Sequence, residues 1–286
     1  MAELHTLLEG LAFPEGPRWH DGRLFFSDQH ARQVLAVDPA GRVEEIVRVE
    51  GQPSGLGWTP DGHLLIVSML ERRLLRLDHA GPNGSATLTE VADLSALATF
   101  HCNDMVVSAA GRAYVGNFGF DLDGGGKYRS ATIITVEPDG SARIGADEMR
   151  FPNGSVITPD GGTLIVGESY AGCLTAFTIE PDGSLSGRRE WAKLSGATPD
   201  GICLDAEGAI WIACPLSNRC LRVHEGGEIL EEIATGGPTF ACMLGGDDRR
   251  TLYICTSEMG LSSDTVAKRP GRIVTREVDV AGVGLP

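Results

Sequence analysis

One pattern, a small-residue step followed by an apolar stretch and a turn, occurs six times along the chain. The segments are EGPRWHDG (15–22), SGLGWTPDG (54–62), NDMVVSAAG (103–111), NGSVITPDG (153–161), DGICLDAEG (200–208) and FACMLGGDD (240–248). Their first residues are separated by 39, 49, 50, 47 and 40 positions. A repeat of about 40–50 residues is typical of a β-propeller, in which each repeat forms one four-stranded blade. The sequence therefore predicts an all-β, six-bladed β-propeller.

Further strands follow each repeated segment in a regular order. The second strands are predicted at LFFSD, LLIVSM, AYVGN, TLIVGE, IWIAC and LYICT, and the third at QVLAVD, RLLRLD, TIITVE, CLTAFTI, CLRVH and RIVTREV. A fourth strand is visible in five repeats, whereas the last repeat lacks one. The segment ELHTLLE precedes the first repeat and has no blade of its own. We therefore predict that it completes the last blade and closes the ring, so that residues 1–286 form a single domain of antiparallel blades, uninterrupted by an amphipathic helix.

The propeller places the first residues of the six repeats in one ring. The first strand of each blade lines the central channel, so these residues surround one channel mouth. The ring residues are Glu15, Ser54, Asn103, Asn153, Asp200 and Phe240. Strand direction alternates within a blade, so the loops between second and third strands are predicted to open on the same face.

The tetrapeptide TPDG occurs three times, at residues 59–62, 158–161 and 198–201. The first two copies end a first strand, and their Pro-Asp-Gly sequence predicts a hairpin turn. In the fifth repeat the sequence DAEG takes the turn position instead. The third TPDG is therefore predicted to begin a blade and to bring Asp200 to the channel mouth.

Four ring residues carry carboxylate or amide oxygens, namely Glu15, Asn103, Asn153 and Asp200. Two carboxylates close together in a channel are unfavourable unless a cation or protons compensate them. An all-oxygen set suits a hard divalent cation, Ca²⁺ first, and Mg²⁺, Mn²⁺ and Zn²⁺ also accept such ligands. The alternative is that these side chains only line a water-filled channel and hydrogen-bond to backbone amides.

The runs FPEGPRW, NDMVV, FPNGSVITPDG and TPDGICLDAEGAIWIA resemble the gluconolactonase and senescence-marker-protein (regucalcin) family, and the resemblance extends through nearly the whole chain. It implies that Glu15, Asn153 and Asp200 hold one divalent metal ion and that Asn103 faces the substrate beside it. By the same resemblance, the activity is hydrolysis of a lactone ring. The family typically carries arginine two positions before the substrate-facing asparagine, where this chain has His101. His101 either contacts the substrate, acts as a second acid–base group or packs at a strand edge.

We expect Asp200 to be the general base that takes a proton from the attacking water while it also touches the metal. Apolar side chains are predicted near the same mouth: Phe240, Phe118, Phe120, Tyr170 and Met69. They either form a wall around a lactone or ester less polar than a sugar lactone, or pack the long loops 117–130 and 257–271 against the propeller. Two other functions stay open: a non-catalytic propeller that binds calcium or a partner, and a related propeller enzyme that acts on another substrate.

The net charge of −15 disfavours nucleic acid or an anionic membrane as a partner, because both reward clustered Lys and Arg. No apolar run approaches the ~18 residues that suggest a membrane span. The sequence begins without an export signal and contains seven cysteines, none in a C-x-x-C pair. We therefore expect a cytoplasmic protein with reduced thiols, a small-molecule lactone or ester as its partner, and a monomer or weak homo-oligomer.

Overall fold

Six antiparallel sheets of four strands each make up the computed structural model, which describes residues 3–78 and 86–284. The strands in chain order are β1 His5–Leu11, β2 Pro14–His20, β3 Arg23–Asp28, β4 Gln33–Val37, β5 Val43–Arg48, β6 Pro53–Trp58, β7 Leu64–Ser68, β8 Arg73–Asp78, β9 Thr87–Asp93, β10 Cys102–Val107, β11 Ala113–Asn117, β12 Ala131–Val136, β13 Ala142–Met149, β14 Pro152–Ile157, β15 Thr163–Glu168, β16 Cys173–Ile179, β17 Leu185–Lys193, β18 Ile202–Leu204, β19 Ile210–Cys214, β20 Arg219–Val223, β21 Ile229–Ala234, β22 Thr239–Gly245, β23 Thr251–Thr256 and β24 Gly271–Glu277. Blades 1 to 5 are β2–β5, β6–β9, β10–β13, β14–β17 and β18–β21, and blade 6 is β22–β24 together with β1.

The blades form a closed ring. Each innermost strand contacts the innermost strand of the next blade, and β22 of the last blade contacts β2 of the first. Strand β1 pairs antiparallel with β24, from His5 opposite Thr275 to Leu11 opposite Gly271. The all-β six-bladed propeller and its closure by the N-terminal strand, both predicted from the repeats, are confirmed.

Packing between blades buries the inner strands, whereas the outermost strands are partly exposed. Every residue of β10 is buried, whereas the outermost strand β5 has four exposed residues among its six. One apolar cluster joins three blades, since it contains Phe26 of blade 1, Trp211 of blade 5 and Met243 of blade 6. All seven cysteines are buried free thiols, including Cys102, which directly precedes the ring residue Asn103. No helix in the described part of the chain is long and apolar enough to cross a membrane.

Two short helices lie in loops beside the channel mouth. A 3₁₀-helix, Gln29–Ala31, follows β3, and helix α1, Ser262–Lys268, lies between β23 and β24. The two helices contact each other, and His30 Nδ1 is 2.6 Å from Thr265 Oγ1. The sequence did not predict α1, because seven mostly polar residues span only two turns and show no helical apolar period.

Candidate functional site

The ring residues lie where the innermost strands depart from regular pairing. In blades 1, 2, 3, 4 and 6 the register between the first and second strands shifts beside the ring residue. In blade 4, for example, Pro152 pairs with Glu168 and Ser155 pairs with Val166, so that Asn153 and its neighbour oppose a single residue. Such β-bulges bend a strand and re-aim a side chain, and they are common next to active sites.

A cavity of about 640 Å³ opens at this mouth of the channel. Five of the six ring residues line it, namely Glu15, Asn103, Asn153, Asp200 and Phe240. The other lining residues are Phe13, Gln29, His30, Gln52, Met69, Leu70, Phe118, Leu122, Asp123, Phe151, Ser169, Tyr170, Thr198, Pro215, Leu216, Met259, Gly260, Leu261 and Ser262. Ser54 is buried outside this lining, and its backbone oxygen accepts a hydrogen bond from Ser27 Oγ at 2.7 Å.

Glycines directly after four of the ring residues let the inner strands approach closely. A Cβ atom at Gly154 would lie 2.5 Å from the Ile202 nitrogen and 2.7 Å from the Asp200 oxygen. At Gly55 it would lie 2.4 Å from the Met105 nitrogen. No side chain fits at such distances, so these positions require glycine. The backbone contact between blades 4 and 5 is a hydrogen bond of 3.2 Å from Gly154 N to Asp200 O.

The two ring carboxylates are buried close enough to affect each other's protonation. Burial raises the pKa of Glu15 to about 8, although the Gly16 amide donates to its Oε2 at 2.9 Å. Burial also raises the pKa of Asp200 well above its ordinary value, and the negative charges of Glu15 and Asp104 raise it further. A hydrogen bond from the Asn153 side chain opposes that shift. Both groups therefore lack a sufficient positive partner among the protein's own side chains.

A buried ion pair that the sequence did not predict, Arg18 with Asp104, lies beside the ring. Arg18 Nη2 lies 2.7 Å from Asp104 Oδ1 and also donates to the Met105 oxygen at 2.6 Å. Arg18 Nε donates to the Leu56 oxygen at 3.1 Å, so one guanidinium joins three blades. Asp104 occupies the position after Asn103 where four other blades have glycine. The positive charge of Arg18 lowers the pKa of Glu15, but burial and the negative charge of Asp104 raise it by more.

The residues present fit a divalent cation. A cation between Glu15 and Asp200 would offset the cost of burying two carboxylates, and carboxylate and amide oxygens suit hard cations. The amide nitrogens act as hydrogen-bond donors, since Asn153 Nδ2 donates to Ser169 Oγ at 3.3 Å and the same amide donates to the Asp200 side chain, while Asn103 Nδ2 donates to Pro152 O at 3.4 Å. That orientation makes the amide oxygens available as ligands. Within the described ranges no three His, Cys, Asp or Glu residues form a metal-binding group, so these amides are needed.

The structure brings most of the predicted substrate-contacting residues to the cavity but places two of them, His101 and Phe120, elsewhere. Phe240, Phe118, Tyr170 and Met69 line the cavity. His101 is outside the lining, where it packs on Phe100 with ring centroids 4.0 Å apart, and burial lowers its pKa. Phe120 is buried behind the residues that line the cavity, and its ring contacts Tyr128, Phe151 and Tyr170. Asp28, the last residue of β3, is fully buried and accepts hydrogen bonds from the Ala12 and Phe13 amides.

Four lining residues lie two positions before a ring residue. They are Phe13, Gln52, Phe151 and Thr198. Sequence reasoning considered this position only at His101, although the same offset from the repeat start identifies all four. Phe13 packs against Phe240 with ring centroids 4.4 Å apart, and Phe151 stacks on Phe118 at 4.7 Å. Phe13 and Phe151 therefore extend the aromatic lining of the cavity on both sides of the ring residues.

The three TPDG segments differ as their positions in the repeat predict. Gly62 donates to the Thr59 oxygen at 2.9 Å and Gly161 to the Thr158 oxygen at 2.8 Å, so the first two segments are tight turns. The corresponding turn in blade 5 is DAEG, closed by a hydrogen bond of 3.1 Å from Gly208 N to Asp205 O. Asp200 lies instead at the cavity, next to the start of β18.

Known proteins share both this sequence pattern and this fold. Residues 13–258 match the family described as SMP-30/Gluconolactonase/LRE-like region. The regucalcin of Danio rerio is 30% identical over 206 residues, which cover 70% of this chain and 69% of that protein. The 6-deoxy-6-sulfogluconolactonase of Pseudomonas putida is 30% identical over 191 residues, or 64% of each chain.

Among solved structures, the calcium-binding protein regucalcin from Agrobacterium tumefaciens superposes with a TM-score of 0.81 at 20% identity. That superposition covers 100% of this chain and 97% of the other. The likeness extends over all six blades, and the family match includes every ring residue. The chain therefore belongs to the SMP-30/gluconolactonase/LRE-like family.

Proposed function

We propose that this protein is a divalent-metal-dependent hydrolase that opens the ring of a small-molecule lactone. The observation that carries the proposal is the pair of buried carboxylates, Glu15 and Asp200, whose pKa values are both raised and which line a cavity large enough for a small molecule. Carboxyl groups with raised pKa values in a cleft are typical of functional sites. The Pseudomonas putida relative, named for its action on a lactone, supports the same reaction class.

Glu15, Asn153 and Asp200 would hold the metal, with Ca²⁺ as the first choice and Zn²⁺, Mn²⁺ and Mg²⁺ as alternatives. When bound, the cation supplies Lewis-acid polarisation of the lactone carbonyl and lowers the pKa of water at the site. With a cation bound, Glu15 would be ionised and would contribute a negative charge. Asn153 contributes a neutral oxygen, which limits the charge that the site must bury.

Asp200 would act as the general base. Its burial and the neighbouring Glu15 make its carboxylate more basic than that of an exposed aspartate. It takes a proton from the water that attacks the carbonyl carbon, and returns that proton to the ring oxygen as the carbon–oxygen bond breaks. Asn103, which lines the cavity beside these groups, would hold the lactone in place or share the metal.

The test measures hydrolysis of a panel of γ- and δ-lactones through the acid that is released. The protein is first stripped with a chelator and then reconstituted with each cation in turn. Asp200→Asn should lower kcat by about 10²–10⁴-fold, the usual contribution of a general base. Asp160→Asn is the matched control, because it changes the same letter of a TPDG segment that forms an exposed turn. It should keep activity within about twofold. The proposal fails if no lactone is hydrolysed with any cation, or if both variants behave alike.

A calcium-binding protein without hydrolytic activity is the second candidate. It is favoured by the solved relative from Agrobacterium tumefaciens, which is described as calcium-binding. In that case Ca²⁺ would raise the thermal midpoint of the stripped protein, and Asp200→Asn would abolish the rise, while no lactone is turned over. Turnover that depends on both the cation and Asp200 would exclude this candidate.

A further inference from the structure

The most exposed large apolar side chains of the described residues all line one cavity. They are Leu216 at 70% exposure, Leu261 at 59%, Met259 at 58% and Tyr170 at 52%. Scattered exposed apolar residues are ordinary on a protein surface, but a contiguous set around a cavity marks a binding site for an apolar group. These four side chains come from three different loops, those of blades 4, 5 and 6.

Aromatic rings continue this apolar surface into the cavity on two sides of the carboxylates. On one side Phe13 packs against Phe240 at 4.4 Å. On the other side Phe118 stacks on Phe151 at 4.7 Å, and Phe151 packs against Tyr170 at 5.3 Å. Rings that pack on each other are held in place before a ligand arrives, so they offer contact area at little entropic cost.

Three polar side chains along the wall already donate hydrogen bonds within the protein. Gln29 Nε2 donates to Met69 Sδ at 3.3 Å, and Gln52 Nε2 donates to Ser262 Oγ at 3.3 Å. Ser169 Oγ donates to the Pro199 oxygen at 2.7 Å. A ligand hydroxyl that accepted a hydrogen bond from any of these three donors would have to replace the bond already made within the protein, which reduces the gain from binding it. The wall is therefore better suited to apolar than to hydroxylated ligands.

The charge of the cavity disfavours an anionic ligand. Its lining includes the acidic residues Glu15, Asp123 and Asp200, and in the described part of the chain it includes neither lysine nor arginine. Arginine is the residue that suits carboxylate, sulfate and phosphate groups. An anionic ligand would meet only like charge away from the metal ligands.

We infer that the substrate is an uncharged lactone that carries an alkyl or aromatic substituent, whose apolar part lies against the Leu216, Met259, Phe118 and Phe240 wall. The inference rests on the proposed lactonase function and names its substrate class. The lactone carbonyl faces Asp200 and Asn103, and the substituent replaces water along the loops of blades 3 to 6. A sugar lactone would use the same carboxylates but gain nothing from this wall.

Three lactones with the same six-membered ring separate these possibilities: δ-valerolactone has no substituent, δ-decalactone has a pentyl chain, and glucono-δ-lactone has hydroxyl groups. The expected kcat/KM for δ-decalactone is at least about tenfold above that for either of the others, after subtraction of spontaneous hydrolysis. Comparable or better turnover of glucono-δ-lactone, with δ-valerolactone also hydrolysed, would overturn this inference and leave the lactonase proposal standing. No turnover of any of the three would overturn both.

Leu216 and Met259 are exposed, so they can be replaced without disturbing the fold. The double variant Leu216→Ser/Met259→Ser should lower the ratio of kcat/KM for δ-decalactone to that for δ-valerolactone at least about fivefold. The matched control, Ile229→Ser/Leu230→Ser, removes two exposed apolar side chains from the outermost strand β21 and should leave that ratio unchanged. An unchanged ratio between the two lactones in the wall variant would overturn the inference, because the substituent would then lie elsewhere.

Discussion

Three aspartates of this chain occupy the third position of the same tetrapeptide, and their surroundings differ completely. Asp61 and Asp160 are exposed turn residues, and hydrogen bonds with Thr59 and Thr158 lower their pKa values. Asp200 is buried at the channel mouth, and its pKa is raised. The local sequence is identical, so only the position within the repeat distinguishes the three. That position could be read from the sequence because the repeats could be aligned.

Other residues of the site were beyond sequence reasoning. Arg18 and Asp104 are 86 positions apart and meet only because blades 1 and 3 both face the channel. In the sequence, EGPRWH is the first strand of the first repeat and gives no sign of a buried guanidinium. The glycines after the ring residues were visible as a small-residue step, but the reason for them is a contact with the neighbouring blade.

The close approach of blades 4 and 5 makes Gly154 sensitive to substitution. Gly154→Ala would place a Cβ atom 2.5 Å from the Ile202 nitrogen, so the inner strands must separate. We expect a loss of about 1–3 kcal/mol in the free energy of unfolding and a lower thermal midpoint. Gly237→Ala is the control, since a Cβ atom there meets nothing within 4 Å. Equal midpoints for the two variants would show that the glycine contact is not a packing constraint.

The buried ion pair gives a second prediction at the residue scale. Arg18→Met leaves Asp104 buried without its partner and should cost about 3–5 kcal/mol of unfolding free energy in urea denaturation. Replacing both residues, as in Arg18→Met/Asp104→Leu, should recover part of that loss. Arg48→Met, which removes an exposed ion pair with Glu45, should cost less than about 1 kcal/mol. A cost for Arg18→Met no larger than for Arg48→Met would contradict the inferred role of the pair.

At the scale of elements, the strands were predictable and the loops were not. The alternation of apolar strands with Gly- and Asp-containing turns identified all the blades, and strand β1 was assigned by counting because one blade lacked an outer strand. Helix α1 was missed because its seven residues, SSDTVAK, are held by contacts with another loop rather than by an apolar stripe of their own. Its partner, the 3₁₀-helix Gln29–Ala31, lies more than 200 residues earlier in the chain.

The contact between these two helices should be sensitive to acid. Burial lowers the pKa of His30, against the opposing charges of Asp123 and Asp28. Because the unfolded chain has the higher pKa, near 6.5, it binds the proton more readily than the folded protein does. The contribution of His30 to the free energy of unfolding is therefore fully present above pH 6.5. It is lost as the pH falls from that value towards the pKa of His30 in the folded protein.

His30→Gln removes this titration and can still hydrogen-bond Thr265. Urea denaturation at pH 7, 6 and 5 should show the difference in unfolding free energy between variant and wild type shifting in favour of the variant as the pH falls. A difference that stays constant across the three pH values, or that shifts towards the wild type, would contradict the assignment.

The whole molecule brings together groups that no single blade contains. Glu15, Asn153 and Asp200 come from three different blades, and the repeats predicted that they meet at one channel mouth, while their assignment as metal ligands came from the family resemblance. The sequence left open whether the apolar residues form a wall or only pack the loops. The structure shows both arrangements, since Phe118 and Phe240 line the cavity while Phe120 packs behind it. The choice depends on loop conformations that are set by contacts among blades, and the repeat pattern carries no information about those.

A single measurement at this scale tests whether the ring holds a metal. Crystals of the chelator-stripped protein soaked in Mn²⁺ would be measured on both sides of the manganese absorption edge. We expect one anomalous difference peak within ~2.0–2.6 Å of oxygens from Glu15, Asn153 and Asp200, and no such peak in crystals of Asp200→Asn. The absence of a peak at the ring, or a peak only at another place in the wild-type protein, would contradict the metal-dependent mechanism.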